Sequence, residues 1–79
     1  MSLITRRIVL ETLVKHETLT DSDITKKENL GIVPDESKLR YILRQLTISG
    51  FILKLSGVIP ITYSITTKGI EESIRFAKA

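Results

Sequence analysis

One stretch of this 79-residue chain concentrates side chains that can form hydrogen bonds with an extended partner. If residues 36–49 form a helix with Leu39 at the centre of its buried arc, six polar side chains share the opposite side or its flanks: Ser37, Lys38, Arg40, Tyr41, Arg44 and Gln45. Arginine can bond a guanine edge twice, glutamine can pair with adenine, and serine, tyrosine and lysine can hold phosphates. These types suit insertion into the major groove of DNA. Every surface helix also presents a solvated polar face, and the pattern alone does not separate the two interpretations.

Both ends of this helix are marked in the sequence. Asp35 or Ser37 can cap its first turn, after a connector in which Gly31 permits left-handed backbone and Pro34 cannot continue a helix. Gly50 stands where a helix stop is expected. Four apolar residues fall within one arc at about 100° per residue: Leu39, Ile42, Leu43 and Leu46.

Two more helices and a short strand are predicted before this segment. The first helix runs from about Leu3 to His16, and four apolar residues gather on one of its sides: Val9, Leu10, Leu13 and Val14. Thr18 and Leu19 are typical of a short edge strand. A second helix is expected to begin after a Thr20 cap, with carboxylates at positions 21 and 23 in its first turn, and to end near residues 29–31.

A hairpin and a last helix are predicted in the remainder of the chain. Phe51–Leu55 and Ile61–Ile65 are rich in β-branched and aromatic residues, and the five residues Ser56–Pro60 between them predict a hairpin loop. Thr66 or Thr67 can cap the last helix. Its apolar stripe consists of Ile70, Ile74 and Ala77.

Composition argues against catalysis, metal binding and a membrane span. The chain has no cysteine, and His16 is its one histidine, so neither a disulfide framework nor a zinc site with thiolate ligands is expected. No nucleophile motif or glycine-rich phosphate loop is present, and we expect no enzyme activity, no cofactor and no small-molecule substrate. No apolar run approaches the roughly 20 residues of a membrane span, which favours a cytoplasmic protein.

The net charge of +3 is unevenly distributed along the chain. Residues 1–35 contain five Lys or Arg against six Asp or Glu, a net charge of −1. Residues 36–79 contain seven against three, a net charge of +4. The second half therefore carries the positive field, which favours a polyanionic partner such as nucleic acid.

Four segments, in this order, resemble winged helix-turn-helix domains. VLETL at residues 9–13 and LTDSDI at residues 19–24 are similar to the first two helices of bacterial winged-helix regulators. LRQLTISGFI at residues 43–52 is similar to the end of their recognition helix and the entry to the wing. YSITTKG at residues 63–69 resembles the exit from the wing in PadR-like and MarR-like regulators. The resemblance implies one α+β winged-helix domain over residues 1–79, with a three-helix core, a two-stranded wing and a C-terminal helix.

The predicted wing departs from the DNA-binding pattern of those families. Wings that hold the DNA backbone usually carry Arg or Lys, whereas this loop is SGVIP and only Lys54 lies near it. We expect its apolar tip to fold back on the core; insertion into the minor groove and contact with a protein are the alternatives.

Two apolar stripes at the termini predict a homodimer. They consist of Ile4 and Ile8 near the start of the chain, and Ile70, Ile74 and Phe76 near its end. The stripes can cover each other within one chain or pair across a two-fold axis, and we prefer pairing.

Two functional hypotheses follow. The first is a small transcriptional regulator that binds double-stranded DNA through the six helix residues and Lys54. The second is a winged helix that binds another protein through its apolar tip and terminal helices.

Overall fold

Helices and a small sheet alternate along the described part of the chain. The computed structural model describes residues 4–78. Its helices are α1 Arg6–His16, α2 Lys27–Leu30, α3 Glu36–Ile48 and α4 Thr67–Lys78, its 3-10 turn is Asp23–Thr25, and its strands are β1 Thr18–Thr20, β2 Ile52–Leu55 and β3 Thr62–Ile65. Four helices and a three-stranded antiparallel sheet confirm the predicted α+β class.

The sheet has the strand order β1-β3-β2, with β3 in the centre. The β2–β3 hairpin pairs Ile52 with Ile65 and Leu55 with Thr62, close to the predicted strands. The predicted short edge strand is also present, because β1 pairs antiparallel with β3 and places Thr18 opposite Ser64. Both neighbours of β3 are therefore fixed by hydrogen bonds.

Helix α3 follows its sequence prediction at both ends. The Asp35 side chain accepts hydrogen bonds from the backbone N–H groups of Ser37 and Lys38. Gly50, just beyond the end, has a φ of +82°, a backbone conformation that glycine adopts readily. The four apolar residues of the predicted arc, Leu39, Ile42, Leu43 and Leu46, are all buried.

Helix α1 begins later than predicted. Thr5 has extended backbone, and its side chain accepts a hydrogen bond from the N–H of Ile8, so the helix starts at Arg6. Ile4 therefore precedes the helix instead of lying on its face, and it is completely buried. The predicted start at Leu3 lies outside the described residues.

The predicted second helix is divided into a 3-10 turn and the short helix α2. Thr20 caps the turn as predicted, since its hydroxyl accepts from the N–H of Asp23 at 3.0 Å. Lys26 then adopts an extended backbone with ψ 134°, which interrupts the helix. The Asn29 side chain donates to the Asp23 carbonyl at 2.7 Å, and local side-chain bonds of this kind compete with helical ones.

Helix α4 begins at a joint with the end of α3 and the start of the hairpin. The Thr66 hydroxyl lies 2.7 Å from the carbonyl oxygen of Gly50 and 2.9 Å from that of Phe51, and it accepts from the N–H of Gly69 at 3.0 Å. A Cβ atom at residue 69 would overlap the Phe51 carbonyl. The Lys68 ammonium also donates to the Ser49 carbonyl at 2.9 Å. Only glycine at position 69 lets α4 approach the Phe51 carbonyl this closely.

The core lies between the helices and one face of the sheet. Its buried members are Ile4, Val9, Leu10, Leu13, Ile24, Leu30, Leu39, Ile42, Leu43, Leu46, Ile52 and Tyr63. Ile70 and Ile74 of α4 point away from it and are 41 and 49% exposed. Within residues 4–78, no helix combines the length and apolarity needed to cross a bilayer.

Candidate nucleic-acid interface

The arginine-bearing side of α3 faces outward. Ser37, Lys38, Arg40, Tyr41 and Arg44 are exposed, and Gln45 is half-buried. This confirms the predicted orientation of the helix, whose apolar arc is buried against the core. The roles of these six side chains in binding DNA stay predictions.

A concave surface between α3 and the hairpin brings three of the predicted residues together. We call it the α3–hairpin pocket; its volume is about 360 Å³, and its lining is Arg40, Leu43, Arg44, Thr47, Ile48, Lys54 and Tyr63. The other predicted residues of α3 lie outside this lining. The pocket therefore divides the predicted set into a clustered group and an outer group on the helix.

Strand register explains why Lys54 joins this cluster. Successive side chains of a strand alternate between its two faces, so Lys54 shares the face of Ile52, which is completely buried against the core. Lys54 also lies directly opposite Tyr63 on β3. The strand consequently directs its one cation toward α3.

Within residues 4–78 the three cations of this cluster form no ion pair, although Asp21 and Glu36 lie with Arg40 around a neighbouring small cavity. From Ser37 to Ile70 the sequence contains five Lys or Arg and no Asp or Glu. The ion pairs among residues 4–78 join Arg7 to Glu11, Lys26 to Asp23 and Arg75 to Glu72, all outside the pocket. The positive charge of Arg40, Arg44 and Lys54 therefore remains available to an external anion.

Tyr63 is the pocket residue that the sequence prediction missed. It was placed in a strand without a functional role, yet it is only 6% exposed and lines the pocket. Burial, reinforced by the charge of Asp21 and opposed by that of Arg40, raises the pKa of the Tyr63 hydroxyl. Like any tyrosine hydroxyl, it is protonated at neutral pH and can donate. The alternation of Ile61, Tyr63 and Ile65 was the signal that this side chain faces inward.

Two α3 residues at the pocket rim were also missed. Ile48 is 69% exposed at the end of α3, although its neighbours in the apolar arc are buried. The Thr47 hydroxyl donates to the Leu43 carbonyl at 2.7 Å, which holds it against the helix. Both give the pocket a partly apolar wall.

The hairpin tip does not fold back on the core, and that prediction was wrong. Ile59 is fully exposed, Val58 is 49% exposed, and all five residues Ser56–Pro60 lie in solvent. The last paired residues are Leu55 and Thr62, so the loop projects beyond the sheet. The core is filled by side chains of the helices and of one face of the sheet, together with Ile4, and no residue of the tip belongs to it.

The predicted dimer stripes are only partly exposed. Ile4 is completely buried in the core, so the prediction that it contacts a second chain was wrong. Its position before the Thr5 cap turns it inward. Ile8 and Phe76 are half-buried and pack against the same core. Ile70 and Ile74 alone remain as an exposed apolar pair in the predicted set.

Comparisons with known proteins leave the function to be argued from this surface. No protein-family model matches the chain, and no curated protein matches it. Within the described residues, no group of three or more His, Cys, Asp or Glu side chains is placed to hold a metal ion.

Proposed function

We propose that this chain is a winged-helix domain that binds double-stranded DNA, with α3 as the recognition helix and the β2–β3 hairpin as the wing. The element order and the third strand beside the hairpin support the winged-helix assignment. The observation that carries the function is the cluster of Arg40, Arg44 and Lys54 around one pocket, in a stretch without acidic residues. Such a cluster neutralises phosphates and releases their counterions.

In the proposed complex α3 lies in the major groove. The helix has 13 residues and is therefore about 20 Å long, enough to cross a groove about 12 Å wide. Gln45 reaches base edges from its outer side, while Ser37, Lys38 and Tyr41 hold phosphates. Arg40, Arg44 and Lys54 lie on the hairpin side and contact the backbone phosphates.

The proposal extends to a cytoplasmic transcriptional regulator that acts as a homodimer and has no enzyme activity. The exposed pair of Ile70 and Ile74 on α4 supports self-association. A two-fold dimer presents two recognition helices to half-sites about 34 Å apart. Sedimentation at high micromolar concentration tests this part: a dimer is expected, and a monomer contradicts it.

Titration of a fluorescent random duplex at 50 and 200 mM salt tests DNA binding. If three cations contact phosphates, affinity is expected to fall about 40-fold between these concentrations. Lys15→Ala, which removes one exposed positive charge from α1, is the control and should reproduce the wild-type titration. Absence of binding at 50 mM salt contradicts the proposed function.

The exposed tip supports a second candidate, a domain that binds another protein. Ile59 is fully exposed and Val58 is half-exposed, with no cation in the loop. Val58→Ser combined with Ile59→Ser should leave duplex affinity within about twofold of wild type if the tip serves a protein partner. A large loss of duplex affinity instead assigns the tip to DNA, as an apolar wedge in the minor groove.

A further inference from the structure

We propose that the α3–hairpin pocket is a seat for one phosphate group, in which the Tyr63 hydroxyl is a hydrogen-bond donor and Arg40, Arg44 and Lys54 supply the charge. The group can belong to a DNA backbone or to a free nucleotide. The backbone source rests on the proposed function, whereas the free source does not.

The Tyr63 hydroxyl has no partner within the described chain. Its side chain is more than nine-tenths buried, and no hydrogen bond among residues 4–78 involves its hydroxyl. Every fully enclosed side-chain polar atom of the described residues has a partner, so this unpartnered hydroxyl is in contact with solvent, and Tyr63 lines the α3–hairpin pocket. A tyrosine hydroxyl that no protein group engages is free to donate to a ligand in the pocket.

The chemistry of the lining defines that ligand as an anionic acceptor. Arginine and lysine carry donors and no acceptor, so Arg40, Arg44 and Lys54 cannot accept from Tyr63. The Tyr63 hydroxyl, protonated at neutral pH like any tyrosine, is a donor. Asp21, the carboxylate that acts on Tyr63, lies outside the pocket lining. Three cations and one hydroxyl donor match the oxygens of a phosphate.

The size of the pocket indicates more than an isolated inorganic ion. Its volume of about 360 Å³ lies within the roughly 300–1,000 Å³ of small-molecule sites. Leu43 and Ile48 supply apolar surface beside the cations, which suits the sugar or base attached to a phosphate. The seat therefore fits a nucleotide unit, free or within a strand.

The test compares adenosine monophosphate, adenosine and a random duplex as probes by titration calorimetry. We expect the monophosphate to bind or the duplex to bind, and adenosine not to bind. Tyr63→Phe, which removes only the hydroxyl, should weaken the bound probe about tenfold. Ser73→Ala, which removes one hydroxyl from α4 outside the pocket lining, is the control and should change neither affinity.

The outcomes identify the source. If Tyr63→Phe weakens binding of the duplex alone, the seat holds a backbone phosphate. If it weakens binding of the monophosphate alone, the seat holds a free ligand. If it weakens binding of both, the seat accepts a phosphate from either source. If wild type and Tyr63→Phe bind every probe with equal affinity, the phosphate seat is wrong. In that case salt-dependent binding of the duplex by the wild type would still support the proposed function. If the duplex is not bound but the monophosphate is, and Tyr63→Phe weakens it, the seat survives without the proposed function.

A second measurement needs no variant. The chain has two tyrosines, so tyrosine labelled with carbon-13 at the ring carbon that bears the hydroxyl gives two resonances. The Tyr63 resonance should shift on addition of the bound probe. Saturation of the wild type by that probe without a shift at Tyr63 overturns the proposal, even if Tyr63→Phe does not fold.

Discussion

Two groups of cations on this protein have the same chemistry and opposite surroundings. Arg7, Lys26 and Arg75 each lie 2.9–3.4 Å from a carboxylate three or four residues away. The second group, Arg40, Arg44 and Lys54, has no ion pair and shares one pocket. Exposed ion pairs add little stability, but they cancel local charge. Of the two groups, only the second is left without a paired carboxylate and with its charge available to an external anion.

The largest effect is expected when two cations of the pocket group are replaced together, and replacing two cations of the paired group is the control. Arg40→Ala with Arg44→Ala should lower duplex affinity about 100-fold, because two contacts of about 1–3 kcal/mol each are lost. Arg7→Ala with Arg75→Ala removes the same total charge and should cost less than about threefold. Anisotropy titrations at one salt concentration measure both. Equal losses would show that net charge, not placement, determines binding.

A carboxylate added beside the pocket should convert an unpaired cation into a paired one. Ile48 lies four residues after Arg44 and is 69% exposed, so Ile48→Glu can pair with it on the helix surface. We expect about tenfold weaker duplex binding from lost phosphate contact and added repulsion. The control Ile48→Gln should stay within about twofold. Similar values for the two variants would contradict the importance of the free charge.

Single removal of the hairpin cation should have a smaller effect. Lys54→Ala is expected to weaken binding about fivefold for all duplex sequences and to reduce the salt slope by about one, since a phosphate contact carries no sequence information. Titrations of two unrelated duplexes over a salt series measure this. A loss confined to one sequence would instead assign Lys54 to base contact.

The smallest effect concerns the paired group. Three effects lower the pKa of Asp23: the hydrogen bond with Lys26 contributes most, followed by the hydrogen bond with Thr20 and the charge of Lys26. A lowered carboxyl pKa contributes stability above the ordinary carboxyl value, and this contribution is lost as pH falls below about 4. Lys26→Met should raise the Asp23 pKa and flatten the acid limb of the stability profile. A carboxyl-carbon NMR titration measures the Asp23 pKa, and melting temperatures between pH 2 and 7 measure the stability profile. An unchanged Asp23 pKa in Lys26→Met would contradict the role of Lys26. Duplex affinity at pH 7 is the control and should not change.

Local signals made α3 predictable from the sequence. Its cap at Asp35, its stop at Gly50 and its apolar arc are all properties of residues within or next to the helix. Exposure of Arg40 and Arg44 followed from the same arc. The division of the second helix did not, because it depends on the extended Lys26 and the bond from Asn29 to Asp23, which compete with an otherwise helical pattern.

Features that depend on distant segments were predicted poorly. The burial of Ile4 and the exposure of Ile59 are decided by whether the core has space for them, which periodicity does not report. Tyr63 lines the pocket because α3 packs near the face of the sheet that carries Tyr63 and its cross-strand neighbour Lys54. Residue types thus predicted the outer side of α3, and tertiary packing determined which cations meet.

The hydroxyl of Thr66 links three elements at one corner of the fold: the end of α3, the start of the hairpin and the start of α4. Its bonds to the carbonyls of Gly50 and Phe51, with Gly69 seated against the latter, leave no slack between the three elements. The Lys68 ammonium, 5.3 Å from the centre of the Phe51 ring, braces the same corner. Because Arg44 lies on α3 and Lys54 on β2, two of the three elements that meet at this corner, a change in the position of α4 is expected to alter the distance between these two cations.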